Sequence, residues 1–445
     1  MKYCARVATV GGLRVLHVST YDAGGGAARA ARALHDAMVR QGIDSTLLTA
    51  VPSGVDPTII GLPGRSGRVR FLASRELEHR LWHVQSTGVR TWRSPAYFGA
   101  LRARTIDAWG ADVVNLHWVT DGLLTVPQIG RILTPTAWSL YDMWAFCGSE
   151  HYGVDTPDAR WRSGYTRANR PGNAHGVDLD RLCWTRKTKR WTRPMSLVAA
   201  SSWMADRVRS SRLMGSWPLD TVPHPIDCRV FTPQQRSVAR RRLGIDDAGP
   251  VVLFLSSAGI GDTRKGWDLL DRALERVRRV HPGIRALIVG PKDAGPPESD
   301  EVRGDQANRI WAGTVSNDAD LVWHYAAADV VAVPSREDNM PLTAMEAQAC
   351  GRSVIGFRIG GVPDIVEHGR TGILAATIDS ESLADALEAA LDDALSSDAM
   401  GLAARERAVA RWSDEPVVSG YVRVYEQARR QQPSSRGPVS QEPQR

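Results

Sequence analysis

Apolar residues along this chain gather in short unbroken runs, separated by stretches in which they recur every three or four positions. Runs of the first kind suit strands buried on both faces, and the stretches between them suit helices packed against a sheet. The first half predicts strands at 13–19, 45–49, 112–117, 136–140, 197–200 and 220–222. The second half predicts them at 251–256, 284–289, 309–312, 329–333, 353–357 and 372–374. Helices are predicted at 27–40, 267–280, 342–349 and 381–395, with a last one near 416–429. Strands alternating with helices give parallel sheets, so the fold class is α/β, with two doubly wound domains at 13–222 and 226–412. Pro223-His224-Pro225 between them cannot be helical and makes a natural hinge. A closing helix, 413–430, is expected to pack back on the first domain. The Pro-, Ser- and Gln-rich tail, 431–445, is expected to lack order.

Composition narrows the class. The 445 residues are 43% hydrophobic and 24% charged, ordinary for a soluble globular protein. Cys4, Cys147, Cys183, Cys228 and Cys350 are scattered with no C-x-x-C, which argues against a zinc site or a disulfide framework and suits a reducing cytoplasm. No apolar run is long enough to span a membrane, and the first residues lack the apolar core of a signal peptide. They read as a short arm before the first strand. Net charge is +7, and the excess is uneven: Arg65, Arg68, Arg70, Arg75, Arg80, Arg90, Arg93, Arg102 and Arg104 crowd one stretch, and RKTKRW follows at 186–191. Such patches attract anionic headgroups, phosphorylated substrates or nucleic acid, the last supported by charge alone and therefore set aside. Eleven of the 15 tryptophans precede Pro218, several beside these arginines, as at a membrane interface.

The segment PSREDNMPLTAMEAQACG (334–351) carries the most chemistry. A buried strand breaks at Pro334 and a helix begins after Pro341, so unpaired N–H groups near Leu342 and Thr343 offer a phosphate site. Asp338 and Glu346 flank it. Carboxylates do not bind phosphate but accept strongly from hydroxyls. Phosphate flanked by hydroxyls describes a nucleotide sugar, while a capped surface loop would use similar residues. Gly24-Gly25-Gly26, after the first strand, lets the backbone approach an anion, with Gly25 and Gly26 nearest the helix start. Arg264 and Lys265, before another helix, would neutralise a diphosphate leaving group. Two D-x-D strings, Asp178/Asp180 and Asp318/Asp320, resemble metal-holding pairs, yet the second opens a helix, where acids favour the dipole. No metal requirement is expected.

These motifs, in this order, resemble the family 4 glycosyltransferases, retaining enzymes of GT-B architecture, and among them those of bacterial polysaccharide and colanic-acid-type assembly. The matching pieces are DAGGGAARAARALHDAM (22–38), VVNLHWV (113–119), TAWSLYDMWAFCGSEHY (136–152), PHPIDCRVF (223–231), TRKGWDLL (263–270) and 334–351 with GFRIGGVPDIVEHGRTG (356–372). The resemblance implies two facing Rossmann-like domains. It implies that Glu346 holds the ribose and Asp338 the transferred sugar, with Asn339, Leu342, Thr343, Arg264 and Lys265 completing the donor site. Many relatives have His where this chain has Tyr141, and an Arg where it has Ile260. Tyrosine is a poor base at neutral pH, so Asp142 becomes the candidate for the acceptor-side base or orienting group, with Tyr141 beside it. His117 and His151 are read as structural, and nothing is inferred from His224.

The expected activity is retaining transfer of a hexose-type sugar from a nucleoside diphosphate sugar to a hydroxyl of a lipid-linked or polysaccharide acceptor. No cofactor is expected beyond that substrate, no nucleic-acid partner, and a cytoplasmic place at the inner membrane face. Tyr141 also motivates a rival, a non-catalytic glycosyltransferase-like partner subunit. Epimerisation or phosphorolysis on the same fold fits the cation pair and the acid-to-Glu346 spacing less well.

Overall fold

A computed structural model of the chain describes residues 12–86, 92–245, 249–292, 308–392 and 394–431, without the side chains of 394–397. The expected N-terminal arm, Arg90 and the tail beyond 431 lie outside these residues. The chain divides into two compact units. One comprises Met1–Ala200, Met204–Val222 and Val418–Arg445; the other, Ser201–Trp203 and Pro223–Val417.

The first unit holds a seven-stranded parallel sheet. In spatial order its strands are Ile59–Ile60, Asp44–Leu48, Arg14–Val18, Val113–Leu116, Thr136–Leu140, Ser196–Ala199 and Leu219–Thr221. The second unit holds six parallel strands, Arg309–Gly313, Arg285–Val289, Val251–Leu255, Val330–Val333, Ser353–Phe357 and Gly372–Ala375. In both, the first strand in sequence lies inside the sheet and later strands add on either side. That order creates a switch point, where loops leave neighbouring strand ends in opposite directions and open a crevice for a ligand.

The runs VVLFL and VVAV are buried almost throughout, as central parallel strands covered on both faces require. Phe254, Trp267, Leu270, Leu274, Phe357 and Leu387 make the core on one face of the second sheet. In the first unit the last helix, Asp414–Gln431, covers polar sheet residues. Tyr425 OH accepts from Asn115 Nδ2 at 2.9 Å, and Tyr421 OH lies 3.1 Å from Ser139 Oγ.

Several bounds differ from the sequence reading. The helix expected to reach 280 ends at Val277, ahead of His281-Pro282, where the residue before proline disfavours helix. The helix expected to reach 395 ends at Leu391, where the Asp392 carboxylate would lie unfavourably at the negative end of the dipole; a further helix runs Ala394–Trp412. The closing helix starts at Asp414, and its first residues, to Val417, belong to the second unit. Gly64–Trp82 and Leu179–Arg190 are the longest of several first-unit helices that were not foreseen. The first buries only Gly67, Phe71 and Glu78, and the second buries Leu179, Asp180, Cys183 and Lys187, so neither shows a continuous apolar stripe.

Candidate functional site

Residues singled out in the second unit gather at its switch point. The strands flanking it are Val251–Leu255 and Val330–Val333. The first leads to a 3-10 turn, Thr263–Lys265, whose start is capped by Asp262 accepting from Arg264 N at 3.1 Å. The second leads through 334–341 to the helix Leu342–Ala349. Lys265 Nζ lies 2.7 Å from Asp338 Oδ2 and joins the two loops. Arg336, to which the sequence assigned no role, pins the same junction. Its N–H donates to Arg264 O and its Nη1 to Thr263 O, both at 2.7 Å, while its guanidinium forks onto Asp268 at 2.7 and 2.6 Å. That fork holds the Asp268 carboxyl below its ordinary range.

Two glycines make the crowding possible. Gly266 sits at φ +71°, and a Cβ there would meet Pro334 O at 2.0 Å. A Cβ on Gly361 would meet Asn339 O at 1.8 Å, and Gly361 N donates to Asp338 O at 3.1 Å. Asn339 Oδ1 accepts from Ser201 Oγ at 2.7 Å. Pro341 precedes the Leu342–Ala349 helix and no side chain caps it, so Leu342 and Thr343 present first-turn N–H groups at the junction. Glu346, in the second turn, is 1% exposed and accepts from Tyr325 OH at 2.7 Å. His224 is a further neighbour that the sequence did not assign: burial lowers its pKa to about 4, against the pull of Asp338, leaving it neutral. Arg264 stands apart from Lys265 in its pairing, because its guanidinium turns to Asp262 at 2.8 Å.

Gly25 and Gly26 lie in the first unit, at the start of the helix Gly26–Arg40, and a Cβ on either would meet only open space. The other first-unit candidates surround a cavity open to solvent where the chain leaves two adjacent strands, Val113–Leu116 and Thr136–Leu140. Asp142 Oδ2 accepts from Trp118 Nε1 at 3.0 Å and from His151 Nδ1 at 2.5 Å; Oδ1 accepts from Trp144 N at 2.9 Å. A carboxylate only accepts, so His151 carries its proton on Nδ1. Burial alone would raise the Asp142 carboxyl, but the His151 ring and these donors bring it below its ordinary value. His151 Nε2 lies 2.8 Å from Ser94 Oγ, so the histidine read as structural is the partner of the candidate base.

Tyr141 belongs to a second chain. Its hydroxyl is 2.8 Å from His117 Nδ1, and His117 Nε2 is 2.8 Å from His17 Nδ1. Burial, then Tyr421 and Tyr425, raises the Tyr141 phenol well above its ordinary value, so it stays protonated and serves as no base. Burial and the neighbouring rings of His117 and His35 keep His17 neutral. Below the cavity, buried Lys187 donates to the carbonyls of Trp144, Cys147 (3.1 Å) and Gly148 (2.8 Å), with its ammonium 3.8 Å from the Trp144 ring centroid. Among the described residues no group of three or more His, Cys, Asp or Glu gathers as metal ligands. Asp178 instead caps its helix, and Asp318 and Asp320 occupy the first turn of theirs.

Comparison with known proteins defines the class to which this fold and junction correspond. The chain is similar to sucrose-phosphate synthase from Thermosynechococcus elongatus, at 18% identity and TM-score 0.65 over 93% of this chain and 98% of that one. It is similar to WaaG, a glycosyltransferase involved in lipopolysaccharide biosynthesis, at 17% identity and TM-score 0.59 over 92% and 98%. The fold is therefore GT-B, two Rossmann-like units with a C-terminal helix. Residues 249–393 match the family model described as Glycosyl transferases group 1. Among curated proteins, D-inositol 3-phosphate glycosyltransferase of Acidothermus cellulolyticus is 31% identical over 252 residues, 54% of this chain and 52% of that one. The enzyme of the same name from Mycobacteroides abscessus is 38% identical over 175 residues, 38% of each. The chain thus spans about half the length, or less, of these curated relatives.

Proposed function

We propose that this protein is a glycosyltransferase that takes a sugar from a nucleoside diphosphate sugar and places it on a hydroxyl. One observation carries the reading: the Lys265–Asp338 pair and the uncapped N-terminus of Leu342–Ala349 meet at the switch point of the second sheet. A cation and first-turn N–H groups suit a diphosphate, and adjacent carboxylates suit hydroxyls. Anabaena HepE, of the same fold at TM-score 0.57, is solved with UDP-glucose, which supports that donor class. In the proposed reaction the acceptor hydroxyl's oxygen bonds to the sugar's anomeric carbon as the bond from that carbon to the diphosphate oxygen breaks, and the hydroxyl's proton passes to the departing diphosphate. The electron pair leaves on the diphosphate, which Lys265 and the helix N-terminus neutralise. Glu346 is assigned to the ribose, Asp338 and Asn339 to the sugar, and Asp142 to the acceptor hydroxyl. Retention of anomeric configuration and independence of metal rest on the family resemblance.

The acceptor class has two supports that differ. The curated relatives are named for D-inositol 3-phosphate. A lipid-linked or glycan acceptor is favoured by the Gly64–Trp82 helix, which exposes Val69 (65%) and Leu72 (50%) among Arg65, Arg68 and Arg70 and so suits an anionic membrane surface. Among the described residues no helix is long and apolar enough to cross a membrane. A thermal-shift panel of UDP, GDP, ADP, TDP and their common sugars, on wild type and Lys265→Ala, tests the donor reading. Ligand at 100 times its dissociation constant adds about 2.7 kcal/mol to stability, a shift of several degrees. One nucleotide class shifting the wild type and not the variant is expected; no shift with any of them overturns the reading. Because Tyr141 is no base, a binding subunit is the second reading, and nucleotide binding without turnover on any acceptor would favour it.

A further inference from the structure

We propose that the cavity beside Asp142 binds a neutral, hydroxyl-rich ring and disfavours a phosphorylated one. This deepens the transferase reading and rests on it for the ring's part as acceptor. The lining includes His117, Trp118, Thr120, Tyr141, Asp142 and Trp144. Among the described residues no lysine or arginine lines it. The nearby cation, Lys187, is buried and already donates to three carbonyls.

A carboxylate has about four acceptor positions. Asp142 uses two on Oδ2, for Trp118 and His151, and one on Oδ1, for Trp144 N. Oδ1 therefore keeps one lone pair on a side chain that is 14% exposed. A hydroxyl donates to such an oxygen; a phosphate, already anionic, is repelled by it. Thr120, which lines the same space, has a buried hydroxyl with no partner among the described residues. Trp118 and Trp144 lie on the His151 ring at 5.4 and 6.4 Å between centroids, inclined to it by 33° and 24°. Aromatic walls with a few placed polar groups are the chemistry of a small-molecule site.

Ser94 is a positioning residue in this site, since it acts only through His151, which lines the cavity and fixes the Asp142 carboxylate. The acceptor thus differs in charge from the one for which the curated relatives are named.

Saturation-transfer NMR and calorimetry on the full chain test this, with methyl α-D-glucopyranoside, methyl α-D-mannopyranoside, methyl α-D-galactopyranoside and myo-inositol against D-myo-inositol 3-phosphate. At least one neutral ring is expected to bind, roughly tenfold or more tighter than the phosphate. Asp142→Asn is expected to weaken it roughly tenfold while leaving any nucleotide-induced thermal shift in place. Tighter binding of the phosphate, silence from every neutral ring in the wild type, or equal binding by Asp142→Asn each overturns the proposal. The wild-type comparison decides even if the variant does not fold. Asp142-dependent binding of a neutral ring without any nucleotide shift would remove the transferase reading and leave the ring site standing.

Discussion

Lys265 and Asp338, 73 residues apart in sequence, form an ion pair of 2.7 Å with both side chains partly open to solvent. A donor's diphosphate must therefore compete with Asp338 for the ammonium. Asp338→Asn is expected to bind free nucleoside diphosphate as well as the wild type or better, by up to about 1 kcal/mol, the worth of a half-exposed pair. The same variant is expected to lose the extra affinity of the sugar-bearing form, whose hydroxyls no longer meet a carboxylate. Calorimetry with the nucleotide that gives a thermal shift, with and without its sugar, separates the two effects. A parallel loss for both ligands would mean that Asp338 only supports the loop.

Glu150 offers a pH test. Burial, then the Asp180 charge, pushes its carboxyl up to about 8, and Tyr165 OH donates to it. Its folded pKa lies above the unfolded one, so its contribution is fully present below about pH 4.3 and is lost as pH rises toward 8. Glu150→Gln keeps a neutral acceptor and removes the titration. Urea midpoints are expected to show the variant gaining on wild type by about 4 kcal/mol between pH 5 and pH 9. Parallel pH curves for the two proteins would refute this.

Lys187 holds together the segment that carries Asp142 and His151. Lys187→Met retains the stem's packing but leaves the carbonyls of Trp144, Cys147 and Gly148 without their donor. The expected loss is about 3 kcal/mol, read from the denaturation midpoint. The same variant is expected to blunt binding in the Asp142 cavity more than nucleotide binding.

The exposed face of Gly64–Trp82 predicts a vesicle contact. Val69→Glu with Leu72→Glu is expected to weaken binding to phosphatidylglycerol vesicles at low salt roughly tenfold, as partial burial of two apolar side chains implies. Neutral vesicles should bind neither protein. Equal sedimentation of wild type and variant with anionic vesicles would remove the membrane part of the reading.

Both sheets were legible because central parallel strands must be apolar on both faces, and runs such as VVLFL announce that directly. The strand Ile59–Ile60 was too short to stand out. Gly64–Trp82 stayed hidden because it packs through a glycine, one phenylalanine and Glu78, whose carboxylate accepts from the backbone N–H groups of Ala96, Tyr97 and Phe98. At the donor-side junction, local motif chemistry named Lys265 and Asp338. The fork of Arg336 onto Asp268, 68 residues away, leaves no local trace. Arg264 could have been read differently, since Asp262 stands two residues before it and takes its guanidinium. Asp142 and His151 stand nine residues apart in one motif, so their pairing could have been read; Ser94, 57 residues from His151, meets it only through the fold.

The split of the first unit across the chain has a consequence for its making. Its sheet is complete in sequence by Thr221, but Asn115 and Ser139 find Tyr425 and Tyr421 only when the last helix exists. On a ribosome adding about 5–20 residues per second, those two polar side chains wait roughly 10–40 s for their partners. For that interval the nascent first sheet carries an uncovered polar seam, while the residues of the second unit are made and can fold around their own core. Birth order and folding order are thus inverted in this chain: the unit that begins first is finished last.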